Sequence, residues 1–170
     1  GKPRHLQVCR ETIEYVLRDM THPSGGFYSA EDADSEGEEG KFAVWSIDEV
    51  REVLAAAGLA EHADEAIEWY GITDGGNFEG HNILVRSVRG DLVRPAHIEA
   101  CRKALYAHRL TRPRPGLDDK VLTEWNGLML ATLAEAAAAT GDPRWLAAAR
   151  ANGTFLREQL LVDGRWHRSW

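Results

Sequence analysis

The sequence predicts an all-α fold built from helical hairpins and interrupted by a small β-hairpin. Three observations predict it: apolar residues recur at helical spacing, capping signals bound the helices, and a short pattern occurs twice. A chain of 170 residues with 44% hydrophobic content is long enough for one domain with a real core. We therefore expect a single domain over residues 1–170.

The first half of the chain contains three predicted helices. Leu6 to Met20 is helical because its apolar residues recur every three or four positions. The capping box Ser46-Ile47-Asp48-Glu49 opens a second helix, and Gly58 ends it. A short helix from about residue 60 to 70 follows.

Three more helices are predicted in the second half. Pro95 opens one that runs to Leu110, where the sequence RPRPG must stop it. Another spans residues 122–140, and Gly141-Asp142-Pro143 combines a C-terminal glycine, an N-cap and a first-turn proline. This combination predicts a tight turn into a last helix that reaches about residue 161.

The remaining segments are predicted to be extended or irregular. Residues 25–45 have aromatic runs around an acidic, glycine-containing centre, as expected of a β-hairpin or a long ordered loop. Residues 71–84 form a loop before an extended run at 83–88, and an aromatic run ends the chain at 166–170. The repeated pattern of helix end, glycine turn and aromatic strand occurs at 17–27 and again at 156–166. Loops are therefore expected at one end of the hairpins.

The composition argues against several classes of function. A net charge of −7 argues against nucleic-acid binding, which needs a basic face. The longest apolar stretch is too short for a membrane span, which requires about 20 residues. Cys9 and Cys101 have no spacing typical of zinc or redox motifs, so we predict neither a metal nor another cofactor. No apolar leader is visible, which makes the cytoplasm the expected location.

The acidic segment Glu31 to Lys41 is the first candidate site. Its acidic residues include Asp32, Asp34 and Glu36, and it is flanked by aromatic residues such as Tyr28 and Trp45, which suit sugar rings. A solvated loop is the alternative interpretation. EF-hand calcium binding is rejected, because the position of the bidentate carboxylate is occupied by alanine.

The second candidate is the loop with the sequence GGNFEGHN. Asn77, Glu79 and Asn82 supply hydrogen-bonding groups, and His81 supplies a side chain that titrates near neutrality. An irregular loop anchored by its phenylalanine is the alternative.

The third candidate lies at the predicted start of the helix over 122–140. Asp118, Asp119 and Lys120 precede this helix, and Trp125 and Asn126 lie within its first turns. Polar groups that converge at a helix end form a candidate site. The acids could equally serve to favour the positive end of the helix dipole.

Together these three segments resemble the thioredoxin-domain proteins of the spermatogenesis-associated-protein-20, or DUF255, type. The resemblance rests on GGFYSAEDADSEGEEGKFAVW, YGITDGGNFEGHNIL and RPRPGLDDKVLTEWNGLML, in this order. It implies an N-terminal thioredoxin-like domain followed by an (α/α)6 toroid similar to N-acylglucosamine 2-epimerases and six-hairpin glycosidases. The chain is then expected to be a middle fragment of an incomplete toroid that lacks the thioredoxin domain.

Two classes of function remain open. In the first, the three segments meet and bind a sugar-like metabolite. A hydrolase would pair Asp32 or Asp34 with Asp118 or Asp119, and an epimerase would exchange a proton through His81. In the second, the domain is a non-catalytic scaffold that serves the attached thioredoxin domain. The exposed faces of an incomplete toroid also predict self-association.

Overall fold

A computed structural model describes residues 2–86 and 93–170, and it is mainly helical. Six α-helices occur in these residues: α1 (Pro3–Asp19), α2 (Ile47–Ala56), α3 (Ala63–Trp69), α4 (Ala96–Arg109), α5 (Thr123–Thr140) and α6 (Pro143–Phe155). The predicted helical class is therefore confirmed. Among the described helices, none is long and apolar enough to cross a membrane.

The strands are short and form three antiparallel pairs. They are β1 (Ala30–Glu31), β2 (Asp34–Ser35), β3 (Glu38–Glu39), β4 (Leu117–Asp118), β5 (Leu161–Val162) and β6 (Arg165–Trp166). β2 pairs with β3, inside the segment predicted to be a hairpin, whereas β1 pairs with the distant β4. β5 pairs with β6 around the predicted turn at Asp163-Gly164. Of the predicted extended run, residues 87 and 88 lie outside the described part of the chain.

The chain divides into two compact units. The central unit contains Asp32–Gly116, and the terminal unit contains the residues before and after it, up to Glu31 and from Leu117 onward. Each unit has its own hydrophobic core. A single toroid domain over residues 1–170 stays a prediction.

The terminal unit is organised by the α5–α6 hairpin. Gly141 ends α5 in the left-handed conformation with a φ of 75°, and the Asp142 side chain caps α6 by accepting from the Arg144 amide at 2.9 Å. The predicted tight turn is thus confirmed. The hairpin buries apolar side chains against α1 and the segment after it: Ile13, Phe27, Leu133, Ala137, Trp145 and Ala149.

Gly25 shows why glycine is required in the segment that follows α1. Its φ is +101°, and a Cβ placed there would lie 2.9 Å from the carbonyl carbon of Ala151 on α6. A side chain would therefore meet both backbone strain and a backbone collision.

The central unit packs α2, α3 and α4 around a second core. Its buried residues include Val50 and Leu54 of α2, Ile67 of α3, and Ile98 and Leu105 of α4. The Ser46 hydroxyl caps α2 by accepting from the Glu49 amide at 3.1 Å, as the capping box predicts.

Near the start of α4, Glu99 lies between two arginines. Its carboxylate is 2.8 Å from the Arg94 Nε and 2.8 Å from the Arg102 Nη2. The hydrogen bond from Arg102, with further help from Arg94, lowers the pKa of Glu99 to about 2. These ion pairs hold the segment before α4 against the first turns of α4.

Candidate functional site

An open cleft in the central unit gathers side chains from four separate segments. Its volume is about 370 Å³, within the range of roughly 300–1,000 Å³ typical of ligand sites. Acidic and basic side chains line it, together with aromatic and aliphatic side chains. The lining residues are Ser35, Glu36, Lys41, Phe42, Val44, Trp45, Ser46, Glu49, His81, Arg112 and Pro113.

Arg112 is the most firmly held charged side chain of the cleft. Its Nη1 donates to the carbonyl oxygens of Phe42 at 2.9 Å and Val44 at 2.8 Å, and its Nη2 donates to Glu49 Oε1 at 2.7 Å. The guanidinium carbon also lies 4.1 Å from the ring centroid of Trp45. Because a guanidinium is a planar fork of donors, these contacts fix its orientation before any ligand arrives.

The sequence around Arg112 explains its position. It follows the C-terminal end of α4, and the prolines at 113 and 115 keep the chain from continuing as a helix. The Pro113 carbonyl in turn accepts from the Ser35 hydroxyl at 2.7 Å. The β2–β3 hairpin is thereby fastened to the segment that carries Arg112.

Glu49 connects Arg112 to two helices. It lies in the first turn of α2, and its Oε1 is also 3.3 Å from the Nε2 of His108 near the end of α4. Arg112 balances the charge of this carboxylate within the protein.

The acidic hairpin contributes Glu36 and Lys41 to the cleft. Glu36 and Gly37 adopt positive φ angles of 55° and 80° in the turn between β2 and β3. Lys41 Nζ is 3.1 Å from Glu38 Oε1 and 3.6 Å from Glu36 Oε2. These carboxylates raise the pKa of Lys41, the hydrogen bond with Glu38 being the largest cause. Lys41 is therefore cationic at neutral pH.

The other acids of this hairpin lie outside the cleft lining. Asp32 and Asp34 are exposed, and Asp32 Oδ1 accepts from the Asp34 amide at 3.2 Å. That contact stabilises the local turn. In the described residues, no group of three or more acidic, histidine or cysteine side chains is placed to hold a metal ion.

The GGNFEGHN loop places one of its predicted site residues, His81, at the cleft. Gly76 has a φ of +74°, and a Cβ there would collide with the carbonyl oxygen of His81. Glu79, with a φ of 47°, lies exposed in the tight turn before His81. The loop backbone thus turns sharply to present the imidazole.

Both asparagines of this loop bind backbone groups. Asn77 donates to the carbonyls of Gly71 at 3.1 Å and Ile83 at 2.9 Å, and it accepts from the Ile83 amide. Asn82 is buried, accepts from the Thr73 amide at 2.9 Å and donates to the Thr73 carbonyl at 3.0 Å. Their amides close the loop that carries His81.

The third predicted segment lies in the terminal unit. Asp118, in β4, pairs with Lys120 at 3.0 Å, and this hydrogen bond is the largest cause that lowers the pKa of Asp118. Asp119 is exposed, as is Trp125 on α5. Tyr28 packs beside the small core around Val121 and Phe155.

Asn126 belongs to a buried amide pair in this unit. It is 1% exposed, and its Oδ1 accepts from the Phe27 amide at 2.7 Å and from Asn152 Nδ2 at 2.8 Å. Its Nδ2 donates to the Phe27 carbonyl, and Asn152 donates to the Gly25 carbonyl, both at 2.9 Å. The pair holds the turn after α1 against α5 and α6.

The structure thus brings three predicted residues, Glu36, Trp45 and His81, to one cleft. Asp32, Asp34, Asn77, Glu79 and Asn82 are in the same unit but outside the lining, and Tyr28, Asp118, Asp119, Lys120, Trp125 and Asn126 are in the terminal unit.

Sequence reasoning missed Lys41, Glu49 and Arg112. In the sequence, Arg112 belongs to the segment that ends a helix, and Glu49 belongs to a capping box. No local signal marks Arg112, because its partners lie about 70 positions away in the sequence.

These features describe a mainly helical protein with a polar cleft. Comparison of the sequence with those of known proteins identifies its relatives. Over 204 residues and 99% of the chain, it is 33% identical to Spermatogenesis-associated protein 20 of Homo sapiens. It is 31% identical to the Mus musculus protein of that name, and 27% identical to an uncharacterized protein of Caenorhabditis elegans over 95% of the chain. No family model matches.

The chain is therefore homologous to a segment of Spermatogenesis-associated protein 20. It spans about a quarter of the length of these relatives, with 26% of the human protein covered.

Proposed function

We propose that the central unit binds a small, polar, sugar-like metabolite in the cleft around Arg112. The observation that carries this proposal is a guanidinium already oriented by three acceptors and an indole ring, at the wall of an open cleft. A fixed donor costs little conformational entropy when a ligand binds, which is why binding sites favour such side chains.

The lining chemistry suits a ligand with several hydroxyl groups. Glu36 and Glu49 supply acceptors, Arg112 and Lys41 supply donors, and Phe42 supplies apolar carbon. Trp45 is 2% exposed and its ring is stacked against Arg112, so we assign its role to orienting this arginine rather than to direct stacking on a sugar.

Of the two enzymatic versions, proton exchange through His81 fits the cleft better than hydrolysis by the predicted aspartates. His81 lines the cleft, whereas Asp118 is paired with Lys120 and Asp32 participates in a local turn. An exchange reaction requires a group that both accepts and donates a proton near neutral pH, and an imidazole does this.

A metabolite screen by NMR on the full chain tests the binding proposal. Bound ligands should shift the amide signals of residues 35–49, 81 and 112, and Glu36→Gln should weaken binding. Glu39→Gln is the matched control, because Glu39 lies in the same hairpin but outside the cleft lining. Binding that shifts only other residues, or that Glu36→Gln and Arg112→Lys leave unchanged, would disprove this site.

The larger architecture is also a proposal. The resemblance and the α5–α6 hairpin support an (α/α)6 toroid, of which this chain contributes several helices, in a protein with a thioredoxin domain. A structure of a longer relative tests it: the segment homologous to α5 and α6 should lie in a closed ring of hairpins.

A scaffold role is favoured for the terminal unit by one specific observation. The predicted site residue Asn126 is buried and bound to backbone groups and Asn152, an arrangement that stabilises the helical hairpin. If this unit is only a scaffold, Asp118→Asn and Trp125→Ser should leave ligand binding unchanged.

A further inference from the structure

The charged groups of the cleft differ in how many of their possible hydrogen bonds are made within the protein. A guanidinium has five N–H groups, and among the described residues Arg112 donates to three acceptors. In the described residues, the Nε–H and one Nη2–H of Arg112 therefore bind no protein acceptor.

The two lining carboxylates face internal cations. Glu49 Oε1 accepts from Arg112 at 2.7 Å and lies 3.3 Å from His108, and Glu36 Oε2 lies 3.6 Å from Lys41. The cations and carboxylates of the lining thus compensate one another, so an anion binds through the N–H groups that Arg112 does not use within the protein and by taking Lys41 from its carboxylates.

Lys41 and His81 add further hydrogen-bond donors to the lining. Lys41 lies on an exposed hairpin and makes only ion pairs with Glu36 and Glu38 among the described residues. Exposed pairs of this kind are weak, so the ammonium group is easily redirected to a ligand. His81 is exposed and adds a ring nitrogen that donates a hydrogen bond.

We propose that the ligand of this cleft is anionic, a sugar-like metabolite with a carboxylate or phosphate group whose oxygens bind Arg112 and Lys41. This inference rests on the proposed function and specifies its substrate class. The guanidinium supplies directional hydrogen bonds to the oxyanion, and the lysine supplies a mobile point charge. The hydroxyl groups of the ligand then face Glu36 and Ser46, and its ring carbons face Phe42.

Three matched probes separate this inference from the binding proposal: glucose, glucuronate and glucose 6-phosphate, titrated by NMR into the full chain. The expected result is that at least one anionic probe binds about tenfold more tightly than glucose, with shifts of the amide signals of residues 35–49 and 112. Its affinity should fall when the ionic strength is raised, because salt screens the exposed Lys41. Preference for glucuronate identifies a carboxylate, and preference for glucose 6-phosphate identifies a phosphate.

Two lysine variants provide the matched test. Lys41→Met should weaken binding of the anionic probe about fivefold or more and should weaken any binding of glucose less, because glucose has no charge to pair with the ammonium group. Lys103→Met changes the net charge equally but lies outside the cleft lining, on α4, and should have no effect.

The possible outcomes are distinct. Equal affinity for all three probes, or a Lys41→Met variant that binds the anions normally, would overturn the anionic assignment and leave the proposed cleft standing. If none of the probes shifts a cleft residue, the anionic assignment is rejected. If the wider metabolite screen also shifts none, the proposed function fails as well.

Discussion

Arg112 donates to Glu49 Oε1 at 2.7 Å while its other terminal nitrogen holds the carbonyls of Phe42 and Val44. One side chain from the segment after α4 thereby fixes the start of α2 and the segment before it. The same contacts that stabilise the central unit present Arg112 to the cleft, so folding and ligand binding depend on the same residue.

Arg112→Lys should destabilise the central unit by about 1–3 kcal/mol, because an ammonium group cannot reproduce the fork and leaves backbone carbonyls without a donor. Chemical denaturation followed by tryptophan fluorescence measures the change in free energy of unfolding. Arg51→Lys is the control, since Arg51 forms an exposed pair with Asp64 and should change stability by less than about 0.5 kcal/mol. Equal effects for both variants would contradict the role assigned to Arg112.

Asn126→Ala should destabilise the terminal unit by about 2–4 kcal/mol. The change removes the acceptor for the Phe27 amide and for Asn152, both in a buried environment where an unsatisfied group is costly. Thermal unfolding measures the loss, and Gln159→Ala on the exposed surface serves as the control. A double variant with Asn152→Ala should lose less than the sum of the single changes, because the two amides act as a pair. Strict additivity would show that they act independently.

Gly25→Ala and Gly164→Ala form a matched pair. Both glycines have positive φ, but a Cβ at Gly25 would lie 2.9 Å from the Ala151 backbone, whereas a Cβ at Gly164 meets nothing within 4 Å. The Gly164 variant should therefore lose only about 1–2 kcal/mol from backbone strain. The Gly25 variant should lose more, because α6 must also move. Similar losses in the free energy of unfolding would contradict the close approach of Gly25 to α6.

Helix positions were predictable because they depend on local signals. The Gly141-Asp142-Pro143 turn and the Ser46 cap act through neighbouring residues, and both occur as predicted. The β1–β4 pair was not predicted, because it joins Ala30 to Asp118 across many residues and each strand contains only two. Strands this short have no periodicity to detect.

The candidate site was predictable only in part, for a related reason. His81 and Glu36 stand out as polar residues beside glycines, which marks loops that carry function. Arg112 acts through contacts with residues about 70 positions away, and nothing local distinguishes it from an arginine that ends a helix. Conversely, Asn82 and Asn126 have the residue type of ligand-binding amides, although they bind backbone groups and, for Asn126, the Asn152 side chain.

Glu99 should make the central unit sensitive to acid. Its pKa is about 2 in the folded protein, below the ordinary value of 4.5, so its ion pairs contribute stability that is fully present above pH 4.5. As the pH falls from 4.5 toward 2 this contribution is lost, because the unfolded chain takes up the proton first. Glu99→Gln should flatten the dependence of unfolding free energy on pH in this window, whereas Glu52→Gln on the exposed face of α2 should not. Parallel curves for the native protein and Glu99→Gln would refute this assignment.

The chain is expected to self-associate through α5. Leu128 is 70% exposed and Trp125 is 51% exposed on one face of this helix, where residues three positions apart are neighbours. Small residues at 127, 131 and 134 extend the exposed surface of the helix and allow another helix to approach closely. Light scattering should show a mass that rises with protein concentration, and Leu128→Gln combined with Trp125→Ser should reduce that rise. Leu146→Gln on α6 is the control, because it removes an exposed leucine from a different helix. A constant monomer mass at high concentration would contradict the prediction, and an equal effect of the α6 variant would place the contact elsewhere.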